Sequence, residues 1–182
     1  MLANILNYYI IFLAIRSIID HSPTYYCDRT TKIAKHQCLL FRNRMNKDIM
    51  GKILVVDDDR AMRTILRSVL SKDFEVVVKN NGFEAMTWLL DGNVPDVIIS
   101  DIVMPYLDGC EFIQYIRQNK ALVAVPIIVL SGHESEEVRE EALRYGAEKF
   151  FSKPFDPRVV LEYVLKIYLH NRLENKARLL YS

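Results

Sequence analysis

Cysteine is scarce and odd in number: Cys27, Cys38 and Cys110 are the three in 182 residues, and no two stand in a C-x-x-C pair. That spacing excludes a zinc ribbon or a dithiol redox motif, and His36 beside Cys38 is too isolated to complete a metal site. A reducing, intracellular compartment fits this usage. Glycine is sparse as well, six in all, and neither a P-loop nor a G-x-G-x-x-G run is present. With no arginine cluster either, the chain lacks the means to hold a nucleotide by its phosphates. A net charge is also missing: the formal total is +1, with seven basic and three acidic residues in positions 1–50 and 17 basic against 20 acidic after them. The main body therefore offers no electrostatic footprint for nucleic acid, and no direct binding to it is expected.

What is present begins with an apolar stretch, residues 2–19, broken by Asn4, Asn7, Arg16 and Ser17. It is near the lower limit for a membrane span, and its basic flank on the C-terminal side would keep the following chain in the cytoplasm. A secretory signal would carry its charge in front instead. Residues 20–48 show no periodicity and read as a basic connector, so residues 1–50 form an N-terminal extension. Met45 and Met50 are alternative starts that would make this leader a start-site artefact.

After Lys52 short apolar, β-branched runs alternate with stretches of helical period, the pattern of a parallel sheet covered by helices on both faces. The strands are expected at 52–56, 74–78, 96–100, 126–130 and 149–151, and the helices at 60–71, 82–90, 109–119, 135–145 and 157–170. Asp156 and Pro157 suit the start of the last helix, and Val160, Tyr163, Val164 and Ile167 share one face of it. One doubly wound domain over residues 51–172 follows, with 173–182 as a short C-terminal tail too small for an effector domain.

In such sheets ligands bind outside the carboxyl ends of the strands. There the sequence places Asp57, Asp58 and Asp59 after the first strand, Asp101 after the third, Ser131 after the fourth, and Ser152 and Lys153 after the fifth. Each has an ordinary reading alone: Asp59 as a helix cap, Ser131 as a loop hydroxyl, Lys153 as a surface lysine. Their joint placement at successive strand ends argues for a site. Converging carboxylates need a cation, and oxygen-only ligands favour Mg²⁺ with a phosphoryl oxygen as co-ligand. Lys153 and Ser131 supply the charge and hydroxyl that phosphoryl oxygens require, and Asp101 is the nucleophile best placed to receive the group.

The segments KILVVDDD, NNGFEAM, PDVIISDIVMPYLDGCEF, PIIVLSGH and FFSKPFDP, in this order, resemble the receiver domain of two-component response regulators over residues 51–172. The resemblance implies a flavodoxin-like, five-stranded parallel sheet of order 2-1-3-4-5 with five helices, an order for which a member of this family is a standard example. It implies that Asp101 is the phosphoacceptor and that Asp57, Asp58, Asp101 and the backbone carbonyl of Val103 hold Mg²⁺. Ser131 matches the switch hydroxyl and Lys153 the phosphoryl-contacting lysine, aimed inward by a cis bond to Pro154. Gly132 leaves the site open to a donor, and Val103 and His133 flank the pocket. The switch aromatic, commonly Tyr, is Phe150, which keeps the ring and loses its hydroxyl.

These residues point to a stand-alone cytoplasmic receiver. A sensor histidine kinase or phosphotransfer protein would charge it, slow self-catalysed hydrolysis would reset it, and a downstream effector protein would read it. It would be a switch rather than a turnover enzyme. The alternative is a phosphorylation-independent or membrane-tethered adaptor, the tether requiring residues 2–19 to insert. A phosphohydrolase using Asp101 would want a second acid two places later, where Val103 stands.

Overall fold

A computed structural model describes residues 51–132 and 135–181. Five strands, β1 (Lys52–Val56), β2 (Glu75–Lys79), β3 (Val97–Ser100), β4 (Ile127–Ser131) and β5 (Lys149–Ser152), alternate with α1 (Arg60–Leu70), α2 (Gly82–Leu90), α3 (Gly109–Gln118), α4 (Glu136–Arg144) and α5 (Pro157–Tyr181). The strands form one parallel sheet of order β2-β1-β3-β4-β5, as expected.

Side chains along a strand point alternately to its two faces, and here both faces are apolar. Leu54, Val56, Ile98, Ile127 and Val129 pack with Ala85 and Leu89 of α2, Phe112, Ile113 and Ile116 of α3 and Ala142 of α4. Ile53, Val55, Val97, Ile99, Ile128 and Leu130 pack on the other side with Leu66 and Leu70 of α1 and Val160, Val164, Ile167 and Tyr168 of α5. Each fully buried aliphatic or aromatic side chain contributes about 1.5–3 kcal/mol, so these two layers are the main favourable term in the fold.

Helix starts are set by side-chain acceptors, each taking a backbone N–H that the helix leaves without a partner. Asp59 caps α1 through Ala61 N at 2.7 Å, Asn81 caps α2 through Glu84 N at 2.8 Å, Asp108 caps α3 through Glu111 N at 2.9 Å, and Asp156 caps α5 through Arg158 N at 2.9 Å. Ser135 caps α4 through Val138 N at 3.2 Å, and Gly146, at φ +105°, follows its end.

Several boundaries differ from the sequence expectation. Phe74 is not in β2: its amide closes on Leu70 O at 3.0 Å, and its ring meets Tyr168 edge-on at 5.4 Å. β4 and β5 each run one residue further, pairing Ser131 with Ser152. Helix α5 continues past 170 through the stretch read as a tail. No proline or glycine interrupts it, and Glu174 bridges His170 at 3.1 Å and Arg178 at 4.0 Å across successive turns. Among the described residues no helix is long and apolar enough to cross a membrane. The apolar stretch 2–19, the connector 20–48, the alternative starts and His133 lie outside the described residues.

Candidate functional site

Strand register builds the site. Val56 pairs with Ser100, and the Asp101 amide bonds Val56 O at 2.9 Å, so Asp57 and Asp101 leave adjacent strands side by side. Asp58 follows at once, and ligand oxygens of Asp57, Asp58 and Asp101 lie within 4.8 Å of one another. Asp57 and Asp101 are nearly sealed from water, whereas Asp58 is exposed. Asp59 is not one of these three, and its side chain caps α1.

Lys153 joins the carboxylates from the opposite end of the chain. Its Nζ donates to Asp57 Oδ2 at 2.8 Å and to Asp101 Oδ2 at 2.6 Å, across sequence separations of 96 and 52 residues. The Lys153–Pro154 peptide is cis. The Lys153 amide donates to Ser131 O at 2.7 Å, tying the ends of β4 and β5 together. Ser131 is wholly buried, Gly132 is exposed with open space where a Cβ would stand, and Val103 is exposed.

The remaining oxygens of the two buried carboxylates take backbone donors. Asp57 Oδ1 accepts from Asp59 N at 2.8 Å, and Asp101 Oδ1 accepts from Ile102 N at 2.6 Å and Val103 N at 3.4 Å. Burial nevertheless pushes the Asp57 carboxyl above its ordinary range, against the pull of Lys153 and the Asp59 amide. For Lys153 burial works against the charge, but the hydrogen bonds and charges of Asp101 and Asp57 outweigh it and hold the ammonium above its usual value. One lysine thus faces three carboxylates. A hard divalent cation fits the remaining negative charge, because the donors are carboxylate oxygens with no imidazole or thiolate among them.

Phe150 of β5 is buried in the layer shared with α3 and α4, three residues before Lys153, so the ring links the site to that side of the domain.

Two residues escaped the sequence reading. Gly109 opens α3 where a Cβ would collide with the Asp101 carbonyl oxygen and stand 2.7 Å from Ile102 Cα, so glycine lets α3 approach the site loop. Its signal is the Asp108-Gly109 pair at the start of the helix expected over 109–119. Arg63 lies one turn into α1, where side chains lean toward the helix N-terminus, and its Nη1 donates to Asp57 O at 2.6 Å. A lone arginine in an amphipathic helix gives no signal that it turns back onto the strand end.

The model of the response regulator receiver domain matches residues 53–165. Among curated proteins the chain is 34% identical over 127 residues to histidine kinase P4 of Formosa agariphila, covering 70% of this chain and 9% of the kinase. It is 36% identical over 117 residues to the alkaline phosphatase synthesis transcriptional regulatory protein PhoP of Bacillus subtilis, covering 64% of this chain and 46% of the regulator. The chain thus spans less than half of either relative. Among solved structures it superimposes on the chemotaxis response regulator CheY4 of Vibrio cholerae with a TM-score of 0.60 and 32% identity, covering 65% of this chain and 98% of that one. The chain therefore belongs to the response regulator receiver domain family, the phosphoacceptor switches of two-component signalling that histidine kinases charge and that generally bind Mg²⁺ at an acidic pocket.

Proposed function

We propose that the protein works as a stand-alone receiver: Asp101 accepts a phosphoryl group from a histidine kinase or phosphotransfer protein, and the charged state alters which effector protein it binds. The observation that carries this reading is Lys153 bridging Asp57 and Asp101 at 2.8 and 2.6 Å, with Asp58 completing the acid cluster. A cytoplasmic site of action accords with a kinase as donor.

Asp57, Asp58, Asp101 and the Val103 carbonyl would hold Mg²⁺. Bound there, it would supply positive charge to offset that of the carboxylates and of an incoming phosphoryl group. An Asp101 carboxylate oxygen attacks phosphorus, the new O–P bond makes an acyl phosphate, and the donor's P–N bond breaks with its electron pair returning to the imidazole. Lys153, already on Asp101 Oδ2, follows the charge onto a phosphoryl oxygen. Ser131 at the end of β4 offers its hydroxyl to another, and because the Lys153 amide holds Ser131 O, the β4 and β5 ends move together. Phe150 and α4 relay that movement to the surface. Resetting is by slow hydrolysis within the same pocket, flanked by Val103, Gly132 and His133.

The test is phosphorylation by acetyl phosphate, and a beryllofluoride complex, each with and without Mg²⁺. Wild type should acquire one acid-stable, hydroxylamine-labile phosphoryl group only with the ion, and Asp101→Asn none. Equal labelling of both proteins, or beryllofluoride spectra unchanged around Phe150, would overturn the proposal.

A further inference from the structure

The Asp58 carboxylate takes no hydrogen bond among the described residues, so its position depends on the backbone that carries it. That backbone is the peptide between Asp57 and Asp58, just beyond β1, whose final carbonyl, Val56 O, receives the Asp101 amide at 2.9 Å. The oxygen of this peptide, Asp57 O, instead accepts from Arg63 Nη1 at 2.6 Å, a short, charge-assisted bond from a half-buried guanidinium. Arg63 is itself fixed, because its amide makes an early bond of α1, to Asp59 O at 3.0 Å, and Asp59 caps the same helix. Lys153 and the Asp59 amide hold the Asp57 side chain, and Arg63 holds its carbonyl.

We infer that Arg63 is a positioning residue for the cation site: it sets the plane of the Asp57–Asp58 peptide and thereby aims Asp58 at the ion. The inference rests on the proposed Mg²⁺ pocket and adds a residue to its support. Two effects of the arginine oppose one another. As a nearby positive charge it would weaken cation binding, so its removal would strengthen it; as an orienting group it strengthens binding, so its removal weakens it. The sign of the change therefore separates them. Outer partners that orient metal ligands typically change affinity by about 10–100-fold.

The experiment is a calorimetric Mg²⁺ titration of the full chain as wild type, Arg63→Met, which keeps the aliphatic stem without a donor, and Arg63→Lys, which restores a charged donor. Thermal unfolding without the ion is recorded beside it. The expected result is Mg²⁺ affinity about tenfold or more weaker in Arg63→Met, with much of the loss recovered in Arg63→Lys. Unchanged or tighter binding in Arg63→Met would overturn the inference, even where its melting temperature falls, since a purely structural role moves stability alone. Absence of Mg²⁺ binding in wild type would remove the pocket reading and the inference with it. Should Arg63→Met not fold, Arg63→Leu, which also lacks a donor, takes its place under the same criteria.

Discussion

Val56, the last residue of β1, and Asp57, the next in the chain, are almost equally hidden from water, at 0% and 1% exposure, yet their burial works in opposite directions. The Val56 side chain joins Leu54, Ile98 and Phe112 in a layer where burial itself is favourable. The Asp57 carboxylate is buried at a cost that Lys153 and the Asp59 amide offset only in part, which is why its proton affinity is raised. The apolar layers therefore stabilise the domain, and the crevice above them draws on that stability to keep three acids together. Mutations on the two sides of this boundary should separate folding from chemistry.

The largest effect is expected in the apolar layers. Phe112→Ala removes a fully buried ring from the layer under α3 and should cost about 3–5 kcal/mol of unfolding free energy, read from urea denaturation. The folded fraction should still take a phosphoryl group on Asp101. A cost below about 1 kcal/mol would show that this layer relaxes around the cavity.

Gly109→Ala comes next, and it acts on the boundary itself. The added methyl meets the Asp101 carbonyl oxygen and Ile102 Cα, which are backbone and cannot swing aside. Overpacking of this kind costs about 1–3 kcal/mol. Because the displaced atoms carry the proposed phosphoacceptor, labelling by acetyl phosphate should also slow, and unaltered labelling would show that α3 moves rather than the loop.

The layers and the crevice were not equally legible in the sequence. The continuous apolar runs in β3 and β4 could only belong to strands buried on both faces, and the polar groups at their ends marked the site because sheet geometry forces them together. The Lys153 contacts follow from that placement. What could not be read was side-chain reach and close approach. The turn of Arg63 back onto Asp57 O depends on the angle of α1 to β1, and the need for glycine at 109 depends on how near α3 comes to Asp101. The extension of α5 was missed for a third reason, since α5's buried stripe of Val160, Val164 and Ile167 ends in polar Asn171 while the backbone stays helical on local pairing.

The cost of burying Asp57 predicts a pH signature. A carboxyl whose folded pKa lies above its unfolded value contributes stability that is present below the ordinary value of 3.8 and lost as pH rises through the raised one. The Lys153 shift is also upward, so its contribution holds below 10.5 and stays constant through the acid range. With chelator present, wild type should therefore lose less stability on acidification than Asp57→Asn between neutrality and pH 4, as measured by parallel urea titrations. Parallel curves would show that Lys153 fully compensates the burial.

The smallest effect concerns Cys110, which packs against the apolar layer and also lines an open cleft of about 340 Å³ with Val103, Glu141 and Tyr145. Burial, and then the charges of Glu141 and Asp108, push its thiol up to about 11. The thiolate is the reactive form, so near pH 8 alkylation should run about a hundredfold below that of an exposed thiol, and peptide mass spectrometry distinguishes it from Cys27 and Cys38. Because burial is the larger cause, Glu141→Gln should raise the rate only slightly, whereas denaturation should restore it fully. If Glu141→Gln alone brought Cys110 to ordinary reactivity, charge rather than burial would govern this position, and the divide between the layers and the crevice would lie one residue deeper into α3 than the packing places it.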